Sequence, residues 1–122
     1  MLKFINTQMT ALKLPYEFME WTQPVKGAYI VGEYVDVPTL NEDGSEESSF
    51  ILTVTTRGKW LELEQIKAKI KKHFPSVCGL RGNTDSGSIA VFFSDAFPVP
   101  TGEADLKRLQ INLTIKEWKG VS

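Results

Sequence analysis

Residues 60–74, WLELEQIKAKIKKHF, place Leu63, Ile66, Ile70 and Phe74 on one helical face, while Glu62, Gln65, Lys69 and Lys72 point elsewhere. Acids stand in the first turn and Lys71, Lys72 and His73 in the last, as a helix dipole favours, and Pro75 stops the run. No side chain in Arg57-Gly58-Lys59 can cap the start. The opposite pattern stands near the C-terminus: Leu109, Ile111, Leu113 and Ile115 alternate with Gln110, Asn112 and Thr114, which predicts a half-buried strand. Seven residues of strand reach about 23 Å and fifteen of helix about 22 Å, so one helix can span that sheet.

Aromatic and β-branched residues predict further strands over 28–35, 49–56 and 88–97, and a short one over 77–81; Gly32 reads as a bulge in the first. Phe4 or Ile5, Met9 and Leu12 suggest a short helix within residues 2–14, ended by Pro15. Residues 16–25 are ambiguous, either extended or a turn, because Tyr16 and Phe18 alternate against Met19 and Trp21. Residues 36–48 carry five acids and the Asp43-Gly44 turn pair, which predicts a flexible acidic hairpin tip. Residues 97–105, FPVPTGEAD, read as a loop. Together these elements predict an α+β fold in one domain, residues 1–122. An antiparallel-rich sheet of about four to five strands is packed on one face by the amphipathic helix, with a short N-terminal helix added.

Composition narrows the function. With 122 residues, 42% of them hydrophobic, the chain can fill one core without disulfide or metal staples. Fourteen Lys and Arg against fifteen Asp and Glu supply no global field for phosphate backbones, so no nucleic-acid contact is expected. No apolar run approaches the roughly twenty residues of a membrane span, and residues 1–14 lack a signal-peptide pattern; a soluble product of the cytoplasm is expected. Cys78, the sole cysteine, reads as a small core residue. Trp60 reads as core or rim.

Catalytic chemistry finds little to work with. The glycine-rich residues 79–88, GLRGNTDSGS, have no lysine and lead into a strand, so a hairpin loop fits better than a phosphate cradle. One histidine and one cysteine cannot build a metal site, and no serine sits in a G-x-S-x-G elbow. Asp85, Asp95, Glu103 and Asp105 read as solvated loop carboxylates, and Lys67, Lys69, Lys71 and Lys72 as a solvated helix face. No catalytic, cofactor-binding or metal-binding residue is expected, and no cofactor. Trp118 falls out of phase with the apolar face of its strand, which suits an interface.

The run from KGAYIVGEYV through the acidic residues to SFILTVTTRGKWLELEQIKAKIKKHF, with the ending PTGEADLKRLQINLTIKEWKG, resembles tail-terminator or tail-completion proteins of long-tailed bacteriophages and prophages. The likeness spans roughly residues 28–118 and rests on element order, size and the ending. It implies a virion-tail subunit, assembled in the host cytoplasm, that forms a ring, typically a hexamer. The ring caps the tail tube and meets a head–tail connector protein, with no cofactor or catalytic group. No family residue maps individually, and residues 1–25 depart from the family's clearer N-terminal helix. Assembly surfaces are expected at the acidic tip (Glu42, Asp43, Glu46, Glu47), at the loop of Arg81, Asn83 and Asp85, and at Trp118. Two alternatives remain open: another neck or connector component, or a small-molecule binding module with a pocket between sheet and helix.

Overall fold

The computed structural model describes residues 2–24, 27–40, 46–84 and 87–119. Helix α1 (Leu2–Ala11) leads into β1 (Tyr16–Phe18), β2 (Tyr29–Leu40) and β3 (Glu46–Thr56). Helix α2 (Trp60–His73) is followed by β4 (Leu80–Thr84), β5 (Gly87–Val99) and β6 (Lys107–Lys119). The strands form one sheet in the order β1-β2-β3-β6-β5-β4. All neighbours run antiparallel except β1, which is parallel to β2. Among the described residues the sheet is therefore mixed and has six strands, where sequence patterning predicted four to five.

The additional strand is β1, from the ambiguous stretch. Three residues are too few for periodicity to register; what holds them is β2, with Tyr16 opposite Ile30 and Phe18 opposite Gly32. The Ile30 N–H donates to the Pro15 carbonyl at 2.8 Å and the Met19 N–H to the Gly32 carbonyl at 2.7 Å.

Helix α1 stops because Lys13 turns left-handed, at φ 58°. The Leu14 N–H then reaches back to the Met9 carbonyl at 3.3 Å, a closure that leaves Pro15 free to start the extended segment. Helix α2 begins without a side-chain cap, as its sequence implies. Instead the Thr56 hydroxyl accepts the Gly58 N–H at 2.9 Å and donates to Glu62 at 3.2 Å, folding the entry turn against the first turn of the helix.

Both helices lie on one face of the sheet. Ile5 and Met9 of α1, and Leu63, Ile70 and the adjoining Phe74 from α2, pack with Phe50, Leu52 and Val54 of β3. Leu109, Ile111, Leu113 and Ile115 of β6 and Ile89 and Val91 of β5 complete that core. The predicted alternation in the last strand thus sorts the chain as expected. The ladder simply runs further, to thirteen residues, because β3 and β5 flank it along its length.

Four local expectations change. Gly32 is not a bulge: it pairs in register with Leu52, and the irregularity falls between Val35 and Thr39. Cys78 is exposed, not core, because residues 75–79 are a turn closed by the Gly79 N–H on the Pro75 carbonyl at 2.9 Å. Gly79 makes that turn at φ 67°. The short strand therefore lies at Leu80–Thr84, and Arg81 and Asn83 sit in it rather than in a loop. Finally, the ladder reaches Leu40 and Glu46, so much of the predicted 36–48 tip is strand, while its turn, with Glu42 and Asp43, lies outside the described residues, as does Asp85.

Candidate functional site

Residues that pair across strands share a face, so the ladders show what the uncovered side of the sheet presents. Arg81 stands opposite Ala90, which stands opposite Lys116, which stands opposite Glu47. Asn83 stands opposite Ser88 and Ser88 opposite Trp118. Four of the residues expected at assembly surfaces, Glu47, Arg81, Asn83 and Trp118, are thus gathered on one face at one end of the sheet. The Arg81 guanidinium lies 5.9 Å from the Trp118 ring centre, a cation–π contact that sequence spacing does not reveal. Glu46 pairs with Glu117 and belongs to the opposite, helix-bearing face.

Toward the middle of the same uncovered face the side chains are mostly uncharged and tie to one another. The Asn112 amide donates to Asp95 at 2.6 Å and accepts from Gln110 at 3.0 Å, while the Ser94 and Thr114 hydroxyls meet at 3.0 Å. A bulge between Phe93 and Asp95 makes this possible. Two consecutive residues, Ser94 and Asp95, both reach β6 partners on this face. Asp95 is therefore exposed, as expected, but stands in strand β5 and accepts from an amide instead of lying in a loop. Ile51, Phe92 and Trp118 are half-buried here and Phe97 is 43% exposed. Uncharged amides and hydroxyls among part-exposed apolar groups match the composition of a polar, wet protein interface better than a solvated charged surface. The signal available in sequence was the polar half of β6, Gln110, Asn112 and Thr114, which lacks charge.

Beyond the loop, Glu103 and Asp105 hold Arg57 at 3.3 and 2.7 Å. Asp105 and then Glu103 raise the guanidinium above its ordinary range, so this pair of acids clips the β5–β6 connection to the end of β3. Trp60 is 41% exposed, a rim residue.

The β1 flank carries a feature that sequence reasoning missed. The Thr22 hydroxyl and N–H donate to Glu17 at 2.6 and 2.8 Å and hold its carboxyl below the usual range. That turn places Trp21 against Tyr29, ring centres 5.2 Å apart. The indole N–H is buried with no acceptor among the described residues. Beside it lies a cavity of about 400 Å³ lined by Pro15, Tyr16, Trp21, Gln23 and Tyr29, among others.

Burial pushes the Tyr16 phenol up to about 12 from 10.0. Because the folded state favours the neutral phenol, its contribution is complete below pH 10 and is lost as pH rises through about 12. Absorbance titration at alkaline pH should show one tyrosine that ionises only near that upper value, and Tyr16→Phe should delete that step; a wild-type profile without it would refute the burial of this hydroxyl.

Among the described residues no three His, Cys, Asp or Glu side chains converge as a metal site would require. No helix among them is long and apolar enough to cross a membrane.

No family model matches this chain, and no curated protein matches it significantly. Solved structures do. A chain from the virion of a native gene transfer agent particle shares the fold with a TM-score of 0.70 at 13% identity, covering 95% of this chain and 92% of that one. A second solved chain matches with a TM-score of 0.69 at 16% identity, over 96% of this chain and 89% of its own. At such identities the likeness establishes a shared fold over nearly the whole length.

Proposed function

We propose that this chain is a non-enzymatic structural subunit of a phage or prophage virion, specifically a tail-terminator-like protein whose copies form a ring. The ring caps the tail tube, halts its polymerisation and offers a surface to the head–tail connector protein. The observation that carries the reading is the fold shared with a virion chain over 95% of this sequence. The arrangement of the surface supports it: a sheet face with a Trp118–Arg81 contact and interlocked amides has the composition of a polar protein interface. Glu47, Arg81, Asn83 and Trp118 are the described residues assigned to that contact, with Glu46 on the reverse face and Glu42, Asp43 and Asp85 assigned from sequence. The chemistry is that of shape and charge, with no cofactor and no reacting group. The protein works in the virion tail after assembly in the host cytoplasm.

The test is reconstitution with the tail-tube protein of the same genome. Negative-stain images should show rings at tube ends and tubes of limited length; tubes that grow equally long with and without an excess of this protein, and bare ends, would refute the tail-end assignment.

A further inference from the structure

The lysines of α2, which read from sequence as one solvated face, divide in the fold. Lys67 is paired with Glu64 at 2.7 Å, and Lys71 lies 5.6 Å from the ring centre of Phe93. Lys69 does neither. With Gln65 and Ile66 it lines a second cavity of about 400 Å³, closed on the other side by Leu14, just before β1, and Ala28, just before β2. Leu14 and Ala28 also line the cavity beside Trp21. The two cavities therefore meet at these residues as one trough, running from the turn that carries Trp21 to the flank of α2.

The middle of the trough is apolar, since Leu14, Ala28 and Ile66 are its half-buried walls. Polar chemistry stands toward its ends. At one, the buried Trp21 indole N–H has no acceptor among the described residues, a desolvated donor that a carbonyl would satisfy. At the other, Lys69 is exposed and has no carboxylate partner among the described residues. Glu62 lines the same end, but its carboxylate accepts the Thr56 hydroxyl at 3.2 Å and lies over Gly58 at the entry turn. Donor, apolar middle and cation thus follow one another, and the unpaired charge fixes the sign of what can lie there.

An extended polypeptide matches that order. It carries a carbonyl at every residue and advances about 3.3 Å per residue, so one segment can offer a carbonyl to the indole, apolar side chains to Leu14 and Ile66, and a carboxylate to Lys69. A compact ligand would fill one cavity and leave the polar group of the other unanswered. We propose that this trough is a docking site for an extended segment of another protein, apolar toward its middle and carrying Asp or Glu where it meets α2. Because the indole N–H is closed off in the free chain, it meets the incoming carbonyl by a side-chain rotation of the kind common at interfaces. The site goes beyond the assembly reading above, for it needs neither a ring nor a tail tube.

The probe is a displayed library of random short peptides, selected on the intact protein. Enriched sequences should combine apolar residues with Asp or Glu. Trp21→Phe keeps a ring against Tyr29 and deletes the donor; it should weaken the best peptide about fivefold. Lys69→Glu should weaken it at least about tenfold and, in a fresh selection, should exchange the acid for Lys or Arg. Circular dichroism checks both folds. In proton–nitrogen correlation spectra the Trp21 indole resonance, identified by its loss in Trp21→Phe, should move as peptide is added. A library that enriches nothing overturns the proposal, as do peptides indifferent to both variants. Dodecanoate, an apolar carboxylate without a peptide carbonyl, should leave that resonance in place; its movement with dodecanoate alone would make the trough a small-molecule site and equally overturn docking of a chain. Peptide binding that depends on Trp21 and Lys69, found without capping of tubes, would sink the tail-end assignment alone; capping without such peptides would sink this site alone.

Discussion

Phe50→Ala should lower stability by about 3–5 kcal/mol, a large part of the roughly 5–15 kcal/mol that holds a domain folded. Phe50 is wholly buried in β3, opposite Tyr34 of β2 on one side and Leu113 of β6 on the other. Its ring centre lies 6.3 Å from that of Phe18 in β1. One side chain thus joins four strands on the covered face, and its removal leaves a cavity that neighbours fixed in a ladder cannot collapse to fill. Urea unfolding should show a much lower midpoint at an unchanged slope. A midpoint close to wild type would mean that this part of the core is wrongly assigned.

Gly32→Val should cost as much as an overpacked core usually does, toward the upper end of about 1–3 kcal/mol. A Cβ at Gly32 would meet the Tyr16 hydroxyl at 2.6 Å, the Tyr16 ring at 2.7 Å and the Phe50 ring at 2.8 Å. Valine adds two methyl groups to that position, so β1 must detach or Phe50 must shift. Because both substitutions act on the same contact, the double variant Gly32→Val with Phe50→Ala should destabilise by about 1 kcal/mol less than the sum, since the smaller residue 50 makes room. Strict additivity in equilibrium unfolding would show that the two sites do not touch.

The contrast between these positions and the rest shows how sequence pattern relates to structure here. Helix α2 was legible because Leu63, Ile66, Ile70 and Phe74 repeat with the period of the helix itself, and β6 because its period of two runs unbroken for seven residues. Local signals alone were less dependable. Gly32 reads as a bulge from the sequence, whereas the presence of Tyr16 and Phe50 on either side makes it a point of close approach. Cys78 has an apolar composition that suits a core, yet a tight turn at Gly79 carries it outward. The contact between Arg81 and Trp118 joins neighbouring cross-strand rows across β4, β5 and β6, which no spacing along the chain encodes.

By itself, then, the sequence determined the α+β class and the apolar faces of α2 and β6, because periodicity and composition are properties of neighbours along the chain. Tertiary structure decided the parallel seat of β1, the face on which Trp118 meets Arg81 and the orphaned donor of Trp21. Each of those depends on which strands lie side by side. Strand order is set by burying all the apolar faces together against two helices, a condition on the whole chain rather than on any stretch of it.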